Sequence, residues 1–277
     1  MTVLLTNDDG YQSPGLAAAR DALLSAGLRV VVVAPDGPRS GGSRAATFRK
    51  PVRIDQVGGN EDNPIYACDG TPVDCIRVAL MSDLVLDAQV VISGINEGAN
   101  LGDDTTYSST AGAAIEGALL GVGSIAVSQQ SADKRFRLVD LEGYDWEWSA
   151  RITALLAARA VADPIVARTV VNVNVPGTPP TSPSQVTRLG RRAYRRGGLE
   201  MTHSDHGHGF YSFHVNEDFD PPVHEEPGTD FFALANGAVS LTPLSLAWGD
   251  KEATDSVRAW AAAASRAVDT ELGMADD

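Results

Sequence analysis

The sequence predicts an α/β fold with an open, doubly wound, mostly parallel sheet, and three observations lead to it. The chain opens on an apolar run at residues 3–5, and two longer runs, 29–34 (RVVVVA) and 88–93 (AQVVIS), are dominated by β-branched residues. Runs of that kind lack the in-and-out alternation of a half-exposed strand and match strands buried on both faces. Helix candidates stand between them at 15–26 and 72–82, and alternation of strand and helix makes the strands parallel. Each strand run also ends in a polar cluster containing glycine, and sheets of this class bind ligands beyond the carboxyl ends of their strands.

The first strand delivers Asn7, Asp8, Asp9 and Gly10. Adjacent side chains on a continuing strand point to opposite faces, so Asp8 and Asp9 can share an ion only if the backbone turns there, which Gly10 permits. Taken alone, the tetrapeptide serves equally well as an Asx-rich turn. The second strand leads through Pro35 and Asp36 to Arg39, Ser40, Gly41, Gly42 and Ser43. The helix at 72–82 has a legible start, with Thr71 as N-cap, Pro72 in the first position and Asp74 placed for a capping box. The third strand leads to Gly94, Ile95, Asn96, Glu97 and Gly98. Parallel strands ending on one edge would bring Asp8, Asp9, Ser40 and Asn96 together from three segments. Two carboxylates, a hydroxyl and an amide oxygen, without imidazole or thiolate, suit one hard divalent cation, Mg²⁺ or Mn²⁺, better than zinc.

Residues 111–120 (AGAAIEGALL) read as a helix packed closely on the sheet through small side chains, entered through Ser108, Ser109 and Thr110. Ser109 or Thr110 would cap it. The same hydroxyls and the first-turn amides would also form an anion site beside a cation. Residues 146–162 predict another helix, 166–175 another buried strand, 239–244 a last strand and 251–272 an alanine-rich terminal helix. The Arg188, Arg191, Arg192, Arg195, Arg196 cluster reads either as a phosphate-steering or subunit-pairing surface or as a solvated hairpin. His203, Asp205, His206 and His208 read as a glycine-rich loop, with transition-metal chelation the sharper alternative.

With 36 acidic against 22 basic side chains the net charge is −14, which disfavours sequence-independent binding to long nucleic acid but leaves room for a small phosphorylated substrate. The chain has no apolar run of membrane-spanning length and starts directly on a core strand, so a cytoplasmic protein without membrane attachment is expected. Cys68 and Cys75, the two cysteines, are expected to be reduced and structural.

The sequence resembles the stationary-phase survival protein SurE family. The matching pieces are TNDDG at 6–10, APDGPRSGGS at 34–43, DGTPVDC at 69–75, SGINEGANLGDDTTYSSTAGAAIEG at 93–117, NVNVPG at 172–177 and GTDFFALANGAVSLTPL at 228–244, in family order across most of the chain. The resemblance implies a Rossmann-like α/β domain over residues 1–277, with a hairpin arm at about 185–230 and a helical tail at 250–277 used in a homodimer or tetramer. It implies a metal-dependent 5′/3′-nucleotidase releasing phosphate from nucleoside monophosphates. Asp8, Asp9, Ser40 and Asn96 map to the metal ligands, and Ser108, Ser109 and Thr110 to the phosphate loop. Asn7, Gly41 and Asn100 join them as candidate substrate contacts, and Asp8 and Asp9 as candidate catalytic groups. Asp8 is the first choice as general base, with a nucleophilic role as the alternative. The chain departs from the family pattern at Ser109, where members usually carry glycine, at Ala99, where they often carry proline, and over 211–214 (YSFH), which lacks a tryptophan-rich pattern. If position 109 required a positive φ, Ser109 would be strained. The departures leave open a phosphatase specialised for another metabolite, or a weakly active nucleotide-binding regulator.

Overall fold

The computed structural model describes residues 1–133, 143–193, 201–205, 208–211 and 223–246. Arg195, Arg196, His206, residues 212–214 and the 251–272 helix prediction lie outside the described residues. Residues Met1–Leu244 pack as one compact unit and Ser245–Asp277 as a second.

The sheet has nine strands. In chain order they are β1 (Thr2–Thr6), β2 (Arg29–Pro35), β3 (Ile54–Gly59), β4 (Pro64–Cys68), β5 (Ala88–Glu97), β6 (Gly123–Gln129), β7 (Thr169–Val175), β8 (Gln185–Val186) and β11 (Ser240–Ser245). They lie side by side as β3-β4-β2-β1-β5-β6-β7-β11-β8. β1 pairs in parallel with β2 and with β5, and the parallel ladder continues through β4 on one side and β6 and β7 on the other. The chain therefore builds outward from β1 through β2 and β4, then returns to β5 on the opposite flank. That reversal between β1 and β5 is the switch point at which doubly wound sheets open a crevice.

The helices are α1 (Pro14–Ser25), α2 (Pro72–Met81), α3 (Ser109–Leu119), α4 (Glu147–Ala162) and the short α5 (Asp230–Ala235). Leu16, Ala19 and Leu23 of α1 and Ala150, Ala154 and Ala157 of α4 cover one face of the sheet, against Val3, Leu5, Val30, Val32 and Ile92. Cys75, Ile76 and Ala79 of α2 and Ala113 of α3 cover the other, against Leu4, Val31, Val33 and Val91. Each fully buried Leu or Ile contributes about 2 kcal/mol, so the two apolar layers fix the sheet that carries the site. Gly117 lets α3 approach closely, since a Cβ there would stand 2.6 Å from Ser124 Oγ and 2.9 Å from Val91.

Several elements differ from expectation. α3 begins two residues early, because Ser108 rather than Ser109 or Thr110 is its N-cap and accepts from Ala111 N at 3.0 Å. β5 runs through Glu97, with a register shift between Ser93 and Asn96, so Asn96 lies on a strand paired with Ser128 instead of in a loop beyond it. β3, β4 and β6 have no counterpart in the sequence reading. β3 is an antiparallel edge strand with mostly exposed side chains, and β6 carries buried polar residues that break the apolar signal. A separate antiparallel pair, β9 (Met201–Asp205) with β10 (His208–Tyr211), places the described members of the histidine cluster on strands.

The capping box at α2 forms as read, and Asp74 does more than cap. Its carboxylate accepts from Thr71 N (2.9 Å), Thr47 N (2.8 Å) and Thr47 Oγ1 (2.6 Å), tying the loop after β2 to the start of α2. Burial alone would raise this carboxyl, but hydrogen bonds from Thr47 and Thr71 outweigh burial and hold it below its ordinary value. Its stabilising effect is therefore present above the ordinary carboxylate range and lost as pH falls through the depressed value. Asp74→Ala is expected to cost about 2 kcal/mol at pH 7, through a lost cap and orphaned Thr47 and Thr71 donors, and less at low pH. Urea unfolding at the two pH values checks both size and sign.

Candidate metal and phosphate site

Gly10 has φ 103, so the chain does turn immediately after Asp9. Asn7 holds that turn: its Nδ2 donates to Gly10 O at 3.0 Å and to Ser13 Oγ at 2.7 Å. Asn7 is buried and its Oδ1 has no hydrogen-bond partner in the structure. The turn sends Asp8 and Asp9 toward the end of β5 and the start of α3. Thr110 Oγ1 donates to Asp8 Oδ1 at 2.5 Å, and Glu97 N donates to Asp9 Oδ2 at 3.3 Å.

Asn96 completes the convergence. Its Nδ2 donates to Gly98 O at 2.7 Å, which turns Oδ1 toward Thr110 Oγ1, 3.0 Å away. The opposite amide orientation would set Oδ1 against the Gly98 carbonyl with no proton between them, so the hydrogen bonds fix this one. Asp8 Oδ1, Thr110 Oγ1 and Asn96 Oδ1 then share a single hydroxyl proton. Burial pushes Asp8 upward, and burial together with the Asp8 and Glu97 carboxylates pushes Asp9 up to about 8. An oxygen cluster with more lone pairs than protons, where ionisation is resisted, is the environment a hard cation relieves. Among the described residues no group of three or more His, Cys, Asp and Glu side chains is gathered for a metal. The oxygens gathered here by hydrogen bonds are two carboxylates, a hydroxyl and a side-chain amide.

Ser40 lies on an exposed loop beside this cluster. Its neighbour Arg39 donates its N–H to Asp8 O at 2.7 Å and accepts from Ser109 Oγ at 3.1 Å, so the loop is pinned between the two ends of the site. Ser43 continues the seam, donating N–H to Tyr107 O (3.1 Å) and its hydroxyl to Thr106 O (2.7 Å). Gly112 allows that contact, because a Cβ there would stand 2.6 Å from Ser43 O. The buried Glu116 adds an ion pair to Arg44 at 3.1 Å. Gly41, exposed with φ 72, faces no atom within 4 Å of a built Cβ.

The hydroxyls of Ser108, Ser109 and Thr110 are all engaged by protein: Ser108 in the cap, Ser109 with Arg39, Thr110 with Asp8. What these residues can offer an anion is their backbone. Helix geometry leaves the Ser109 and Thr110 amides without an intrahelical acceptor. Ser109 is also unstrained, since it is the first residue of α3 and is absent from the positive-φ positions. Asn100 is woven into the floor of the site. Its N–H meets Asn174 Oδ1 (2.8 Å), its Nδ2 meets Ser128 Oγ (2.8 Å), and its carbonyl accepts from Asn172 and Asn174 (2.9 and 3.0 Å).

Sequence reasoning missed Thr110 as the bridge between two candidate ligands, and missed the bracing role of Asn172 and Asn174. The alternating NVNV of β7 was the available signal, since polar side chains recurring on one face of a buried strand need partners there. Of the arginine cluster, Arg188 pairs with Glu226 at 3.0 Å and Arg192 with Asp104 at 2.6 Å, so neither side chain is held out toward a phosphate. Cys68 and Cys75 are buried free thiols. A separate cavity of about 260 Å³, lined by Trp148, Leu155, Leu156 and Leu241 among others, is almost wholly apolar and lacks acid–base groups.

The family model described as Survival protein SurE matches residues 3–196. The 5′-nucleotidase SurE of Rubrobacter xylanophilus is 40% identical over 263 residues, covering 94% of this chain and 97% of the relative. That of Alkalilimnicola ehrlichii is 38% identical over 265 residues, covering 94% and 95%. The crystal structure of the SurE protein from Aquifex aeolicus superposes with a TM-score of 0.76 at 36% identity, over 94% of this chain and all of that one.

Proposed function

This chain belongs to the Survival protein SurE family, and from that premise we propose that it is a phosphomonoesterase that hydrolyses nucleoside monophosphates to nucleoside and phosphate. Near-full-length similarity to proteins named 5′-nucleotidase SurE supports the reaction class. The observation that carries the reading onto this chain is the convergence of Asp8, Thr110 and Asn96 at the β1/β5 switch point, beside the first-turn amides of α3.

Asp8, Asp9, Ser40 and Asn96 would hold one divalent cation, Mg²⁺ or Mn²⁺, whose chemistry is to offset phosphate charge and favour water as a nucleophile. The protein's own groups do the rest. The Ser109 and Thr110 amides bind phosphate oxygens beside the carboxylates and accept the charge that builds during transfer. Asp8 takes the proton of the attacking water as the new P–O bond forms, and the ester P–O bond breaks with its oxygen leaving as the nucleoside hydroxyl, protonated from solvent. Thr110 keeps the Asp8 carboxylate oriented for that step. Nucleophilic attack by Asp8 itself is the less favoured variant, because ligation would occupy the carboxylate. Ser109 takes an ordinary helical position, so its side chain brings no backbone strain to the start of α3.

No helix among the described residues is long and apolar enough to cross a membrane. A cytoplasmic location and assembly as a homodimer or tetramer through the arm and tail belong to the same proposal.

Purified protein is expected to release phosphate from nucleoside 5′- or 3′-monophosphates with Mg²⁺ or Mn²⁺ and to stop on addition of chelator. Release confined to non-nucleotide esters, or undiminished by chelator, would contradict the proposal.

A further inference from the structure

The GTDFFALANG stretch places Asp230 at the first residue of α5, and nothing in the reaction above uses it. Its side chain is wholly buried. Its carboxylate accepts three backbone amides from different parts of the chain: Gly102 N on Oδ2 at 2.7 Å, and Gly190 N and Phe231 N on Oδ1 at 2.8 and 2.9 Å. Gly102 opens the 3₁₀ turn Gly102–Thr106, which runs through Tyr107 into the Ser108 cap of α3. Gly190 lies in the strand-like segment that bridges to the residues before α5, through Arg188 with Thr229 and Arg192 with Val223.

A second lock lies beside the first. Arg192 has a side chain only 6% exposed and donates Nε and Nη2 to Asp104 Oδ2 at 2.8 and 2.6 Å. Its backbone N–H meets Asp103 Oδ2 at 2.8 Å, and its guanidinium lies 4.9 Å from the Phe231 ring centre. The joint has no slack. A Cβ on Gly102 would stand 2.3 Å from Phe231 Cε2 and 2.6 Å from Gly190 O.

Burying a carboxylate is costly, and apolar side chains would join these segments with less loss. What a carboxylate adds is direction, because three amides must point at the two oxygens of one planar group. The turn so fixed carries the Thr106 and Tyr107 carbonyls that receive Ser43, and it ends at the first amides of α3. Asp8 and Asn96, by contrast, follow from β1 and β5 and meet the start of α3 through the Thr110 hydroxyl.

We propose that Asp230, seconded by Arg192, is a positioning residue for phosphate: it sets the 102–106 turn and thereby the placement of the α3 amides beside Asp8 and Asn96. This rests on the phosphate-binding reading above. The informative variant is Asp230→Asn. Its one remaining oxygen can serve Gly190 and Phe231, while its NH₂ faces the Gly102 N–H, donor against donor, so the link to the turn is the one broken.

The expected result is a rise of about tenfold in KM and in the dissociation constant for inorganic phosphate, with kcat and Mn²⁺ affinity within about threefold of the parent protein. Unchanged KM and phosphate affinity would overturn the proposal. So would an equal loss of Mn²⁺ and phosphate binding, which marks general loosening. If Asp230→Asn does not fold, Arg192→Lys keeps the charge but loses the paired contact with Asp104, and it must show the same KM-selective change; unchanged KM there overturns the proposal as well. Titration with inorganic phosphate needs no turnover, so a parent protein inactive on nucleotides would sink the nucleotidase reading while the phosphate comparison still decides the role of Asp230.

Discussion

Asp8→Asn is expected to lower phosphate release by about a thousandfold or more without unfolding the protein. The substitution keeps the shape of the side chain and an oxygen for the Thr110 hydroxyl, but removes a charge the cation requires and a base the water requires. Its effect on stability has the opposite sign from most core substitutions. Burial resists ionisation of Asp8, and the neighbouring Asp8 carboxylate raises Asp9. Neutralising Asp8 therefore relieves a repulsion, and in chelator the variant should melt no lower than the parent protein. A variant that is inactive and also melts far lower would show that Asp8 serves the fold instead.

Thr110→Val is the second large effect, expected to reduce turnover about a hundredfold by misplacing two oxygens whose geometry the hydroxyl fixes. Valine matches threonine in volume, so packing of α3 on the sheet is kept. The Asp8 and Asn96 oxygens would instead face a methyl group in a buried site, at a cost of about 1–3 kcal/mol. Thr110→Ser restores the hydroxyl and should recover most of the activity, at the small cost of a lost methyl. Equal impairment in Ser and Val would assign Thr110 to packing alone.

What the sequence disclosed depends on how local each feature is. The Thr71–Asp74 cap and the turn at Gly10 follow from residue types a few positions apart, and both form as read. The apolar runs of β1, β2 and β5 mark strands buried on both faces, so the shared carboxyl-end edge was legible, while the switch point between β1 and β5 came only with the strand order. β6 escaped because its buried positions include Ser124, Ser128 and Gln129: Ser124 bonds back to Val122 O, and Ser128 and Gln129 meet Asn100 and Asp145 O. The start of α3 was misplaced because three adjacent hydroxyl residues are equally good caps on paper, and only the contact of Ser108 with Ala111 N selects one. The bridging role of Thr110 and the bracing role of Asp230 have no local signature. Their roles arise where segments far apart in sequence meet, Thr110 with Asp8 across 102 positions and Asp230 with Gly102 across 128.

A Mn²⁺ titration of the parent protein and of Asp8→Asn and Asn96→Ala, followed by electron paramagnetic resonance, addresses the shared ion directly. One tightly held ion per chain in the parent, lost in Asp8→Asn and weakened in Asn96→Ala, is the predicted result. Undiminished binding in both variants would contradict it, because the oxygens of β1 and β5 would then not meet around one metal.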